Sequence, residues 1–258
     1  MDGKVRERVE LRSGDEIERI REACLVVHAV LREVMAAVAP GVSTADLDRL
    51  AEARCRERGA SPAFKGYHGY PGSICISVNE EVVHGIPSPR RVLREGDIVG
   101  LDFGVLHRGF YGDSAYTVPV GRVSGEALAL LEATRAALAS GVAAAAPQGR
   151  LGDIGAAVQR LVEASGYSVV RDFVGHGIGR RLHEPPQVPN FGQAGTGMRL
   201  RPGMVLAIEP MVNAGGAEVT TLADGWTAVT ADGSLSAHFE HTVAVTENGP
   251  EILSLPPG

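Results

Sequence analysis

Behind Ser13-Gly14-Asp15-Glu16, apolar residues recur every three or four positions: Ile17, Ile20, Cys24, Val27, Leu31, Val34, Met35 and Val38 share one stripe. The S-x-x-E start is a capping box and Pro40-Gly41 a stop, so the pattern predicts a long amphipathic helix. His28 lies at the edge of that stripe and reads as packed there. A second helix is predicted from Ser43 or Thr44 to Gly59, with Leu47, Leu50, Ala51 and Cys55 inward. A third follows Ser124 and carries Leu128, Leu131 and Leu138. A fourth spans about 151–165, with Leu151, Ile154, Val158, Leu161 and Val162 inward. After each of the two helix pairs the apolar period shortens towards two, which predicts strands. These fall at 73–78, on both sides of a turn at His107-Arg108-Gly109, at 204–211 and at 237–245. DG pairs at Asp224-Gly225 and Asp232-Gly233 predict hairpins. Residues 60–72, rich in Gly, Pro and aromatics, predict a loop of the kind that walls a pocket. The charged residues 1–12 predict an arm or edge segment.

The order of elements repeats. A shift of 107 places Pro40 on Pro147, Asp46 on Asp153, Gly59 on Gly166, Gly96 on Gly203 and Asp102 on Glu209. Two helices followed by a carboxylate-bearing strand therefore occur twice. Two similar halves, about 13–120 and 121–250, are expected to form a single mixed α/β domain over residues 1–258. A pseudo-two-fold relation would bring Asp102 and Glu209 together.

Composition narrows the class. Hydrophobic content of 44% and charged content of 22% suit a globular core, and a net charge of −6 disfavours nucleic acid or an anionic membrane as partner. Three cysteines without C-x-x-C spacing fit a reducing cytoplasm better than a disulfide framework. No apolar run resembles a signal peptide or a membrane span.

The chemistry sits in the strands. Asp102 interrupts the run that begins at Ile98, and Asp113 follows Phe110-Tyr111 after the turn. Two readings of this pair stand: strand-end aspartates capping turns, or a metal or catalytic pair. Glu209 and Glu240 lie in two further predicted strands, and Glu240 shares a face with His238 and Thr242. Four carboxylates in one core would repel one another. No lysine or arginine lies within those strands, whereas two divalent ions would hold them. His176 sits between glycines, His183 precedes Glu184-Pro185-Pro186, and His84 precedes Gly85-Ile86-Pro87. Each is either a loop histidine or a functional one; His68, His107, His238 and His241 read as ordinary. His183-Glu184 is not H-E-x-x-H, and the prolines behind it forbid the helix that motif needs. Gly175-x-Gly-x-Gly lacks the dinucleotide fingerprint, and neither G-x-S-x-G nor a P-loop occurs.

Taken together, YHGYPGSICISVNE (67–80), VVHGIP (82–87), GDIVGLDFG (96–104), YGDSA (111–115), GHGIGRRLHEPP (175–186), PGMVLAIEPM (202–211), DGW (224–226) and FEHT (239–242) resemble the type I methionine aminopeptidases, in order and spacing, over nearly the whole chain. The resemblance implies the pita-bread α/β fold, with pseudo-symmetric halves around a dinuclear centre. It implies five metal ligands at Asp102, Asp113, His176, Glu209 and Glu240, for two divalent ions drawn from Co, Mn, Fe or Zn. It places substrate-contacting histidines at His84 and His183, and a methionine pocket at Phe64, Tyr67, Tyr70, Cys75, Leu182 and Trp226. A monovalent cation near Asn79 and Ser236 is also implied.

The implied reaction is removal of the N-terminal methionine from nascent polypeptides with a small second residue. A hydroxide bridging the metals would attack the scissile carbonyl, His183 would stabilise the oxyanion, His84 would assist the leaving amine and Glu209 would shuttle a proton. A cytoplasmic monomer is implied, with the ribosome as a further candidate partner and without nucleic acid or membrane. Only 26 positions separate His183 from Glu209, and 31 separate Glu209 from Glu240. That leaves no room for the helical insert of the type II enzymes, and no zinc-binding N-terminal extension is expected. Phe64, Leu182 and Gly100 depart from the commoner Cys, Phe and Asn and would alter the pocket. Two alternatives share the fold: an X-Pro aminopeptidase or dipeptidase, and a metal-free binding module.

Overall fold

The computed structural model describes residues 9–257. Four helices are present in this span: α1 (Gly14–Ala36), α2 (Thr44–Glu57), α3 (Gly125–Ala144) and α4 (Leu151–Ala164). The strands are β1 (Ser61–Pro62), β2 (Cys75–Val78), β3 (Glu81–Val83), β4 (Ile98–His107), β5 (Phe110–Pro119), β6 (Ser168–Val169), β7 (Gly175–Gly177) and β8 (Glu184–Val188). They continue with β9 (Val205–Ile208), β10 (Met211–Asn213), β11 (Val219–Thr221), β12 (Ala228–Thr230), β13 (Ser236–His238), β14 (Glu240–Thr246) and β15 (Gly249–Ile252). Of the charged segment 1–12, residues 1–8 lie outside the described residues.

The helices start where side chains can take up free amide groups. Ser13 and Glu16 form the expected box at α1, and Ser43 and Asp46 form another at α2. α3 is apolar and long enough to cross a membrane by composition alone. Here it packs against α4 and the sheet through Leu130, Leu131, Leu138 and Val142.

The main sheet runs β1-β4-β5-β14-β9-β7-β8, with β2 on β4 and β15 on β14. Strand alternation divides it into two faces. Val99, Leu101, Phe103 and Val105 of β4 pack under Val27, Val30 and Leu31 of α1. Leu206 and Ile208 of β9 and Val243 and Val245 of β14 pack under α3 and α4. The helices therefore take one face, and residues of opposite parity, Asp102 and Glu240 among them, point to the other. One cluster holds residues 23–120 only, and the other is almost wholly from 127–245, Ile98 being its one member from the earlier part. We propose that these clusters are the cores of two halves of one domain.

Register then sets the site. Ala115 on β5 is the partner of Asp102 on β4 and of Glu240 on β14. The next row begins with Gly104 opposite Asp113 and ends with Thr242, Ala207 and His176, since Ala207 pairs with both of the others. Arg108 and Gly109, both at positive φ, make the two-residue turn that locks the β4–β5 register.

Three predicted elements differ. The strand expected at 204–211 ends at Ile208, because Pro210 has no N–H for the ladder; Glu209 occupies the break and β10 joins a different sheet. The strand expected at 237–245 is likewise split at Phe239, with β13 paired to β10 and β14 to β5 and β9. Asp224-Gly225 does turn a hairpin, β11–β12, but Asp232-Gly233 leads from β12 into another sheet.

Candidate metal centre and substrate cavity

A cavity of about 430 Å³ opens on the face away from the helices. It is lined by Phe64, Tyr67, His68, Tyr70, His84, Asp102, Asp113, His176, Leu182, His183, Glu209, Trp226 and Glu240. All the site residues expected from sequence are there except Cys75. Cys75 is buried opposite Asp102 in the ladder, within the apolar cluster of Phe64, Tyr70 and Leu182. His68 lines the cavity although its sequence context reads as an ordinary loop.

At its floor, Asp113, His176 and Glu240 offer ligand atoms that all lie within 4.8 Å of one another. Asp113 is 3% exposed and Glu240 2%. Thr242 braces Asp113 by accepting from its amide and donating to its carbonyl, and Ser114 donates to the Glu240 carbonyl. Asp102 Oδ1 and Glu240 Oε1 are buried without a hydrogen-bond partner among the described residues. Among the described residues, no lysine or arginine lines the cavity.

The electrostatics follow from this crowding. Burial pushes the Asp102 carboxyl up to about 7 and Glu209 to about 8. Asp113 and Glu240 are held well above the carboxylate range by burial and by neighbouring acids. His176 is driven down to about 3 by burial, so its ring is neutral. Its Nδ1 lies 2.9 Å from the Gly177 carbonyl, which can only accept; the proton is therefore on Nδ1 and the Nε2 lone pair faces inward. Nε2 lies 3.5 Å from Glu209 Oε1. Crowded carboxylates, orphaned oxygens and an inward imidazole lone pair fit a divalent cation, which would supply the missing positive charge.

Three walls surround this floor. β3 and β12 pair Val83 with Ala228, which brings His84 and Trp226 together, their rings 6.3 Å apart. His84 has φ +61°, a left-handed conformation unusual for a side-chain-bearing residue, and its ring meets Phe173 edge-on at 5.4 Å. Burial lowers its pKa to about 4, so it is neutral. The Tyr70 hydroxyl donates to the Gly85 carbonyl at 2.8 Å, tying the aromatic loop to the His84 segment. Opposite, the His183 ring packs on His176 at 4.3 Å, and the Tyr67 hydroxyl meets His183 Nδ1 at 2.7 Å, leaving Nε2 for the cavity. Gly104 makes room for Phe64: a Cβ there would lie 2.8 Å from the ring.

The sequence profile of the M24 metallopeptidases matches residues 18–247. The chain belongs to metallopeptidase family M24. Within it, the chain is of the bacterial type I methionine aminopeptidase kind. A methionine aminopeptidase of Clostridium acetobutylicum is 52% identical over 245 residues, covering 95% of this chain and 98% of that one. The crystal structure of the Thermotoga maritima methionine aminopeptidase superposes with a TM-score of 0.95 at 47% identity, covering 96% and 100%. Prolidase from Pyrococcus furiosus, at 23% identity and a TM-score of 0.77, shares the fold over 96% of this chain and 66% of its own. The architecture is thus the mixed α/β pita-bread fold that the sequence motifs implied.

His238 is the residue that sequence reading passed over. Its Nε2 lies 3.5 Å from Glu209 Oε2, on the far side of the carboxylate from His176. The available signal was its place on the same face as Glu240, two residues away.

Proposed function

We propose that this chain removes the N-terminal methionine from nascent polypeptides whose second residue is small. One observation carries the reading: the cluster of Asp113, His176 and Glu240 lies on the floor of a cavity walled by Phe64, Tyr70, Leu182 and Trp226. A metal-binding floor suits a free α-amine and a peptide carbonyl; apolar and aromatic walls suit a thioether side chain.

Asp102, Asp113, His176, Glu209 and Glu240 would hold two divalent ions of the Co, Mn, Fe or Zn group. When bound, such ions supply Lewis acidity and a nucleophilic water with a lowered pKa. The remaining work belongs to the chain. With Tyr67 donating to Nδ1, His183 carries its proton on Nε2 and donates it towards the substrate carbonyl oxygen. His84, neutral near pH 7, hydrogen-bonds the peptide nitrogen and assists its departure. The buried Glu209 carboxylate takes up and passes on a proton. Cys75 backs the methionine pocket from beneath Tyr70. A monovalent cation would sit near Asn79, whose carbonyl accepts from the Ser236 amide at 2.9 Å. We place the activity in a cytoplasmic monomer working beside the ribosome.

The test is hydrolysis of Met-Ala-Ser, Met-Lys-Ser and Ala-Pro-Ser by chelated protein, then with Mn²⁺ or Co²⁺ added. Metal-dependent release of methionine from the first peptide alone is expected. Cleavage of Ala-Pro-Ser would move the chain to the prolidase side, and no cleavage of any peptide with metal bound would reject the assignment.

A further inference from the structure

We propose that His238 is a positioning residue that orients the carboxylate of Glu209, holding Oε2 so that Oε1 is presented beside His176. This rests on the reading of Glu209 as a metal ligand.

Glu209 needs an outside support. It occupies the break between β9 and β10, so the main-sheet ladder ends just before it. Its backbone is anchored by Asn190, whose side-chain amide donates to the Glu209 carbonyl at 3.0 Å. Among the described residues no such bond reaches its carboxylate; instead an imidazole nitrogen lies 3.5 Å from each oxygen, His176 Nε2 at Oε1 and His238 Nε2 at Oε2.

The two imidazoles are not equivalent. His176 is committed by the Gly177 carbonyl to the tautomer whose Nε2 carries a lone pair. With Glu209 ionised, as a metal ligand is, a lone pair facing Oε1 is repulsive until a cation lies between them, which is the arrangement of two ligands on one ion. His238 Nε2 is buried and has no hydrogen-bond partner among the described residues. It does not line the cavity, so it works from behind the carboxylate. In that ionised form, a lone pair at that distance from Oε2 would repel it with nothing to offset the repulsion. The tautomer bearing Nε2–H instead makes an attractive, charge-assisted contact. His238 is also rigidly placed. It is 4% exposed, and its amide donates to Thr117 Oγ1 at 2.9 Å while that hydroxyl donates to its carbonyl at 2.8 Å. It stands opposite Met211, two residues beyond Glu209. Partners of this kind fix the direction in which a ligand meets its metal.

The experiment compares His238→Gln, which keeps an N–H donor, with His238→Met, which has similar bulk and none, and with Glu209→Ala. Chelated proteins are titrated with Mn²⁺ by calorimetry, and the visible absorption of each Co²⁺-loaded form is recorded. His238→Met should bind Mn²⁺ roughly 10–100-fold more weakly and show an altered Co²⁺ spectrum, while His238→Gln recovers most of the affinity and the wild-type spectrum. Wild-type affinity in His238→Met, with Glu209→Ala impaired, overturns the positioning role and leaves Glu209 a ligand. Equal impairment of the Gln and Met variants also overturns it, because the donor would then not matter. Unchanged affinity in Glu209→Ala would remove the ligand reading and the inference together.

Discussion

Arg12 and Glu184, 172 residues apart, form a buried ion pair. The second oxygen of Glu184 accepts from the backbone amides of Arg180 and Arg181 at 2.8 and 2.9 Å. Glu184 follows His183 directly, so a residue ahead of the first helix clamps the loop that carries a cavity histidine. Removing one partner of a buried pair leaves an uncompensated charge. Arg12→Ala is expected to destabilise the protein by about 3–5 kcal/mol, read as a lower urea midpoint. It should also reduce kcat for Met-Ala-Ser, because His183 loses its support.

Gly104→Ala probes the wall of the cavity. The new Cβ would lie 2.8 Å from Phe64 Cε1 and 3.2 Å from Asp113 Oδ1. Phe64 would be pushed into the space expected for methionine. A loss of about 1–3 kcal/mol in stability is expected from the overpacking. A larger rise in KM for Met-Ala-Ser than fall in kcat should accompany it. A KM at the wild-type value would show that Phe64 does not border the methionine side chain.

His84→Ala separates catalysis from metal holding. His84 lines the cavity but lies outside the cluster of Asp113, His176 and Glu240. The variant should lose roughly 10²–10⁴-fold in kcat while its metal content, measured by elemental analysis, stays at the wild-type level. Loss of metal would instead make His84 part of the metal-binding set.

Removing metal should expose the strain of the carboxylates through pH. In the folded chain Asp102 titrates near 7 and Glu209 near 8, against about 4 when unfolded. The metal-free folded state therefore holds protons that the unfolded state has released, and stability falls as pH rises through that window. His84 and His176 act oppositely, because their folded pKa values of about 4 and 3 lie below the unfolded one, but only up to about pH 6.5. The chelated protein should thus melt at progressively lower temperature from pH 6.5 to 8. Saturating Mn²⁺ should abolish that fall, since the cation holds the carboxylates deprotonated in the folded state as they are in the unfolded one, and it stabilises the folded state by mass action. A flat chelated profile would mean that these carboxyls are not so perturbed.

The amino-acid sequence alone determined the elements whose signals are local. Three-and-four spacing with Ser13 and Ser43 caps is enough for α1 and α2, since a helix bonds to itself. The Arg108-Gly109 turn and the apolar alternation of β4 are legible for the same reason. Asp102, Asp113, Glu209 and Glu240 stood out because charge inside an apolar run is conspicuous, and the motifs around them carried the family resemblance. Tertiary structure alone decided what these residues meet. The flanking of Ala115 by Asp102 and Glu240 depends on β14 inserting beside β5, a pairing across more than 120 residues that no local pattern encodes. The break at Pro210, the reach of Arg12 to Glu184 and the seat of His238 behind Glu209 are likewise consequences of long-range register. A carboxylate can be recognised from its neighbours in the chain, but its partners are set by which strands come to lie beside it.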